Sequence, residues 1–546
     1  MARQLEELKS QRADEPGKST ESPSFGDVSD VSPNFDVEYP YRLTFDDSDL
    51  IKEQFELADF VIDRETVVEV YYIFSYHFHP HLPMFEPSHS IAFIHDSSPL
   101  LFWTIIAIVL ARQLRPNHGD LFKLLEKPFT KQLKSDFLSA PLPIHTIQAL
   151  LYLITFPFPT DSQTREPSWL YCGIALNASL YMGLQKSKPT QSLRSIGVVP
   201  GTIRARARTW LACFVASTSL SLFVGSSPLI HSTGELENIM KFTHEQPLPL
   251  EYMYEITVQH TLAKFTSVLL NDARAAVNLA VVQLVDGELD GLKAKSLAMD
   301  WTSRTEYCLL VAKLHLYAMT VIKMQSDITS RNILLQLGLS VSLRIVYLME
   351  RGLGYESNQY TDVPVDLLPR TCPKNHFRGL LLASIFLLRY FALNDHATAE
   401  EQELARNSVS IAHTYFKSIS AEPSDEQDRG ARLLASLSRQ KPVNIDNFKP
   451  RVDDRLGASL LYDAITTGHE LRNDNIEAEE IIPATVTDTP DVADYSSSQH
   501  NIVVPEFDTD PMEGLNDLDF TLPADLWGDT MWGMFDFNMV PPPPPR

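Results

Sequence analysis

A chain of 546 residues, 44% hydrophobic and 21% charged, has material for a large core, on the scale of about three or four domain-sized units. Its formal net charge of −24 excludes nucleic-acid binding over the whole surface, because phosphate contacts need a cationic face that this balance does not supply globally. The four cysteines, Cys172, Cys213, Cys308 and Cys372, stand too far apart for a disulfide framework or a zinc cluster and read as free thiols of a reducing compartment.

The opening MARQLEELKS has no apolar core of the length a signal peptide needs. Leu5 and Leu8 fall on one seam of a short heptad helix and are candidate dimerisation contacts, although two leucines do not make a coiled coil. Ser10 to about Asp36 is rich in Ser, Pro, Asp and Glu and is expected to be a disordered linker, with order returning near Tyr41. Val67, Val70, Tyr71 and Phe74 then take helical spacing until Pro80 and Pro83 stop the helix. His77, His79 and His81 alternate as ligands for zinc or copper would on an extended chain, but the two prolines explain this stretch as a rigid helix exit, and no metal is assigned.

The apolar run from Leu100 to Ala111 is too short to cross a bilayer. Leu121, Leu124, Leu125, Phe129 and Leu133 form an amphipathic series after it. Ile144, Ile147, Leu150, Leu151 and Ile154 predict a helix that breaks at Phe156–Thr160, and a second helix begins at Trp169. In that second helix Gly173, Ala175, Ala178 and Gly183 leave little bulk between Leu170, Ile174 and Tyr181. A neighbour is therefore expected to approach closely and bury most of it. Arg204, Arg206 and Arg208 suggest either a phosphate patch or import signal, or a solvated or ion-paired helix start. Alternating arginines fan out around a helix, which favours the helix start. Serines interrupt Trp210 to Ile230, which reads as a buried soluble helix.

Helical blocks continue at Glu251–Val285 and Trp301–Met324, the latter with Tyr307, Leu310, Val311, Leu314, Tyr317 and Ala318 on one face. Ile333–Met349 and Phe377–Leu393 are apolar enough to be central. Arg378 and Arg389, at the ends of the latter, read as solvent-facing cations in preference to a carboxylate-effector site. The segment GARLLASL and the stretch Arg455–Leu471 give the last short helices. No period-two run is long enough for a sheet, so the fold class is all-α, with a regulatory domain over 41–471. A metal-dependent all-α enzyme is the distant alternative. Asp46, Asp47 and Asp49 precede the first helix and cannot share one of its faces, and Asn271 and Asp272 lack the spaced Ser and Glu of a diphosphate-binding motif.

From 472 to the carboxyl end the chain is expected to be disordered. Between Asn501 and Arg546 nine acidic residues face the single basic Arg546, with aromatics interleaved. Mutual repulsion keeps the aromatics available to a partner, the composition of an acidic activation segment whose anchors would be Phe520, Leu526, Trp527, Met531, Trp532, Phe535 and Phe537. A tail that folds back on the core is the alternative.

In order and spacing, IHTIQALLYL, SWLYCGIALNASLYMGL and RARARTWLACFVAST resemble the middle homology region of fungal transcription regulators that carry a six-cysteine binuclear zinc cluster. The aromatic helix entering His79-Pro80-His81-Leu82-Pro83 is similar to the start of that region, whose core here spans about 67–232. The resemblance implies a helical regulatory domain, and it makes residues 1–40 a linker with the remnant of a dimerisation helix. This chain would then begin downstream of where the cluster lies. It further implies that zinc belongs to that absent amino-terminal cluster and that no cofactor is held in this chain. DNA would be reached only indirectly, through a missing module or a homo- or heterodimer partner. A co-activator would bind the tail, the location would be the nucleus, and no membrane is involved. A helical co-regulator or inhibitor that pairs with an intact family member is the second reading.

Overall fold

The protein is described by a computed structural model over residues 43–480, except 189–190, 196–200, 271–278, 296–300, 324–326, 354–360 and 449. The expected linker, Leu5 and Leu8, the Asn271–Asn278 motif and the seven activation anchors lie outside the described residues. Helices dominate what is described. Strands β1 (Thr44–Asp46), β2 (Gln54–Leu57), β3 (Phe60–Asp63) and β4 (Ser88–Ser90) are too short to leave a period-two signal. β1 pairs in parallel with β4, and β2 pairs antiparallel with β3, Phe55 opposite Ile62.

The first core is built from α1 (Arg64–His77), α2 (Ile91–Ser97), α3 (Pro99–Ala111), α4 (His118–Asp136), α5 (Ile144–Thr155), α6 (Ser168–Tyr181), α8 (Ile203–Val224) and α9 (Thr233–Glu245), while the short α7 (Gln191–Ser195) adds no residue to it. Asp63 caps α1 by accepting from the Thr66 amide at 2.8 Å, and Ser232 with Glu235 forms a capping box on α9. After Pro99 every residue of α3 is buried, as an all-round apolar helix requires. In α4 the buried stripe is Phe122, Leu125, Phe129 and Leu133. Leu124, placed by sequence in the same series, is 66% exposed, because it sits a full 100° from Leu125.

The second core comprises α10 (Leu250–Leu270), α11 (Leu279–Lys295), α12 (Ser303–Lys323), α13 (Ile328–Arg351), α14 (Lys374–Leu387), α15 (Ala399–Ile419), α16 (Glu426–Leu437) and α17 (Ser459–Glu480). The α10 helix belongs to both cores. Tyr252, Ile256 and Ala263 on one face join the first, and Val258, Leu262 and Phe265 on another join the second. Such a helix must be apolar on two sides. α14, which continues as a π-turn at Leu388–Ala392, is buried at every position but Asn375, and its apolar part is central as its sequence predicts. Close packing there depends on Gly379, where a Cβ would lie 2.7 Å from Val311 and 2.8 Å from the Tyr307 hydroxyl. α13 is less central than expected, since Ile333, Leu337 and Tyr347 are exposed. α8 and α13 are long and apolar enough to cross a membrane by length and composition, yet 78% and 56% of their apolar windows are buried within the fold.

The largest departure concerns α6. Its sequence predicts burial on most sides, but only Ser168, Cys172, Ala175 and Ser179 are buried, a narrow stripe at spacings of three and four. Trp169, Leu170, Leu180 and Tyr181 are exposed, and nothing lies within 4 Å of a Cβ added at Gly173. The small residues permit close approach by a neighbour. α5 and α8 use that permission on one side only.

Candidate functional site

The seam between the two cores is lined by charge. Glu166, in the segment before α6, accepts from the Ser168 amide at 2.9 Å and from its hydroxyl, then meets the Lys374 ammonium at 2.6 Å. Lys374 reaches Glu426 at 3.3 Å. Arg378, one turn along α14, donates to Glu426 at 3.0 Å and lies 3.8 Å from Glu166. Lys374 occupies the first turn of α14, where the helix dipole disfavours a cation, so two carboxylates are needed to hold it. Burial alone would raise Glu426, but Arg378 and Lys374 hold its carboxyl down to about 2. Glu166 comes from the first core and the other three from the second, so the cluster ties the halves together.

A second tie lies beside it. Arg304 on α12 donates to the Pro80 carbonyl at 3.2 Å and pairs with Glu251 and Glu255 of α10 at 3.4 and 3.5 Å. Asn375 donates to Glu255 at 3.4 Å. His77 meets the Thr361 hydroxyl at 2.6 Å, and the His81 and His376 rings stand 5.4 Å apart. Burial, with Arg304 nearby, holds His376 neutral, its value lowered to about 3. His79 turns the other way, stacks on Phe85 and is likewise lowered to about 3 by burial and Arg208. The three alternating histidines are therefore split between separate surroundings by the 3-10 turn at His79–His81. Among the described residues no group of three His, Cys, Asp or Glu could hold a metal.

Two small cavities flank Lys374. One, of about 40 Å³, is lined by His81, Ser168, Glu255, Asn375 and Arg378. The other, of about 30 Å³, is lined by Arg112, Glu166, Arg370, Cys372, Asp425 and Glu426. Each has room for a water molecule or two. Asp425 is saturated, because it caps α16 and accepts from the amides of Ala421, Glu422 and Asp428. Arg112 donates to the Pro157 carbonyl and Arg370 to the Ser420 carbonyl. The Nε of each is buried without a partner, and neither has an ion-pair partner among the described residues. Burial pulls Arg112 down to about 10.

Several charged residues are thus placed differently from their sequence reading. Arg206 and Arg208 are 1% and 5% exposed, so they are buried and not solvated at a helix start. Arg206 binds the carbonyls of Met182 and Gly183 and so caps the end of α6, while Arg208 ties Phe85 to Pro247 at their carbonyls. Arg378 and Arg389 do not face solvent. Arg389 pairs with Asp463 at 2.6 Å, with the aspartate 1% exposed. Local sequence spacing does not single out Glu166, Lys374, Glu426, Arg304, Arg112 or Arg370. The available signal was Lys374 and Arg378, four residues apart at the start of an otherwise apolar helix, which demands buried acidic partners. Cys172 and Cys213 are buried with thiols pushed up to about 12 by burial, whereas Cys308 and Cys372 are half-buried.

Residues 71–252 match the fungal specific transcription factor domain, so the resemblance read from the three helical segments holds over that stretch. The putative transcription factor SEF1 of Eremothecium gossypii is 21% identical over 445 residues, 78% of this chain and 40% of that protein. The transcriptional regulatory protein SEF1 of Candida albicans is 24% identical over 452 residues, 78% of this chain and 47% of the other. The putative transcription factor SEF1 of Kluyveromyces lactis is 31% identical over 179 residues, 32% of this chain and 16% of the other. The chain spans less than half the length of these curated relatives. No solved structure matches it.

Proposed function

We propose that the chain is a nuclear transcription regulator that works by binding and carries out no catalysis. The observation that carries this reading is the transcription factor domain over residues 71–252, followed beyond α17 by an acidic segment with interleaved aromatics. The two-core helical body supplies shape and a rigid scaffold, and Asn501–Arg546 recruits a co-activator through Phe520, Leu526, Trp527, Met531, Trp532, Phe535 and Phe537. DNA is reached through a further module or through a homo- or heterodimer partner, because four widely spaced cysteines cannot form a binuclear cluster within these residues. Fusing Asn501–Arg546 to an unrelated DNA-binding module tests the recruitment step. Reporter output that falls when Trp527 and Trp532 become alanine supports it, and silence of the intact fusion refutes it. A mobility-shift assay tests the indirect route to DNA, since sequence-specific binding by the purified chain alone would overturn it.

The regulatory input enters at the seam. Arg112 and Arg370 line the cavity beside Lys374, each with a buried Nε that has no partner, and Asp425 acts on both only from beyond ion-pair distance, which favours a monatomic anion there over a neutral effector. Because the seam joins two cores, an anion bound there would change how tightly the halves are held. Chloride and bromide titrations at constant ionic strength, followed by thermal shift, test this input. Stabilisation lost in Arg112→Met supports it, and no shift with either anion, or an equal shift in the variant, removes it.

A further inference from the structure

We propose that the outer face of α4 is a docking surface for an acidic peptide segment of a partner protein, one that carries apolar side chains among its carboxylates. Lys123, Lys127, Lys131 and Lys134 are all exposed, and at the helical repeat they fall within an arc of about 80°, opposite the buried stripe of Phe122, Leu125, Phe129 and Leu133. They extend over about 16 Å of helix. Among the described residues no carboxylate lies within ion-pair distance of any of the four. The exposed acidic residues of α4, Asp120 in the first turn and Glu126 at one margin, leave the stripe with a net positive charge.

A solvated helix face ordinarily mixes the two signs of charge, and lysines four residues apart repel one another. Such a run is the more unusual in a chain with 46 basic against 70 acidic residues. Charge complementarity therefore calls for a polyanion, and the neighbouring side chains select which one. Leu124 is 66% exposed and lies about 20° beyond Lys131 around the helix, one turn before Lys127. Leu138, 77% exposed, follows the carboxyl end of α4. A phosphate backbone gives a leucine nothing to pack on, whereas an acidic segment with Leu or Phe among its carboxylates covers lysine and leucine together. Duplex DNA also brings about ten charges over 16 Å, and a chain of net charge −24 repels that density more strongly than it repels a short peptide. Lysine, a point charge on a flexible stem, suits carboxylates that are not held in one fixed geometry.

Fluorescence anisotropy of the full chain with a labelled peptide of repeating Asp-Leu-Asp-Phe tests this directly. Binding is expected that weakens as salt rises from about 50 to about 300 mM. Lys127→Glu with Lys131→Glu should weaken it at least tenfold. Arg439→Glu with Lys441→Glu, the same change of net charge at exposed cations elsewhere, should alter it less than twofold. Leu124→Ser, or serine in place of the apolar residues of the peptide, should each weaken it at least threefold. All these positions are on the surface, so unchanged circular dichroism and melting confirm that the variants fold. Absence of binding, or equal losses in the two double variants, would overturn the proposal. So would tighter binding of a short DNA duplex that the α4 lysines also control, which names nucleic acid as the occupant. Peptide binding that emerges only when Asn501–Arg546 is deleted would overturn it as well, by naming the chain's own tail.

Discussion

Replacing Lys374 with methionine removes the cation bridging Glu166 and Glu426 while keeping a side chain of similar length. Lys374 and Glu166 are 7% and 6% exposed at their side chains, so bulk solvent does not replace the lost ammonium and at most a water or two in the flanking cavities can reach Glu166. Glu426 keeps Arg378 at 3.0 Å, but Glu166 is left with the Ser168 donors and an Arg378 contact at 3.8 Å. Deleting one partner of a buried ion pair costs roughly 3–5 kcal/mol, and the remaining arginine puts this case at the low end, about 3 kcal/mol. At about 2–4 °C per kcal/mol for domains of 150–250 residues, the expected drop in Tm is on the order of 6–12 °C. Adding Glu166→Gln to the same chain removes the stranded charge, so the double variant is expected to be more stable than Lys374→Met alone. Urea unfolding of the wild type, both single variants and the double variant, followed by far-ultraviolet circular dichroism, closes the cycle. A single-variant cost below about 1 kcal/mol, or a double-variant cost equal to the sum of the singles, would refute the view that a buried ionic cluster ties the cores.

The remaining expectations concern packing and protonation. Leu125→Ala is expected to cost about 2–5 kcal/mol and its neighbour Leu124→Ala less than about 0.5 kcal/mol, as read by urea midpoints, because only the former is buried. Gly379→Ala drives a methyl into Val311 and Tyr307 and should cost about 1–3 kcal/mol in the same assay. His79 and His376 are held near 3 in the folded chain, against an ordinary 6.5. Their contribution is full above pH 6.5 and is lost as pH falls from 6.5 toward 3, where the unfolded chain takes up protons the folded one refuses. Stability should therefore decline between pH 7 and pH 5, and His376→Asn should lessen that decline by on the order of 1–2 kcal/mol in urea titrations at the two pH values.

How far the fold could be read in advance depends on the range of the forces involved. Helices such as Arg64–His77, Pro99–Ala111 and Ile144–Thr155 are written locally, since apolar spacing, an Asp63 cap and flanking prolines act within a turn or two of chain. The order of three such segments also carries the resemblance to the fungal transcription factor domain, now matched over residues 71–252. Charge was legible as composition. The pairing of charges was not, because Glu166 and Lys374 are 208 residues apart and meet at 2.6 Å only after two cores have formed. For the same reason Arg206, Arg208, Arg378 and Arg389 looked like surface cations, because nothing in local sequence reports which distant carbonyl or carboxylate will satisfy an arginine.

The α6 helix marks the division most clearly. Its apolar, small-residue pattern established by itself that a neighbour could approach closely on any side. Which sides are filled was decided by where α5 and α8 run, and they cover a single stripe. Periodicity records the faces a helix is able to bury, whereas burial depends on what the rest of the chain places against them.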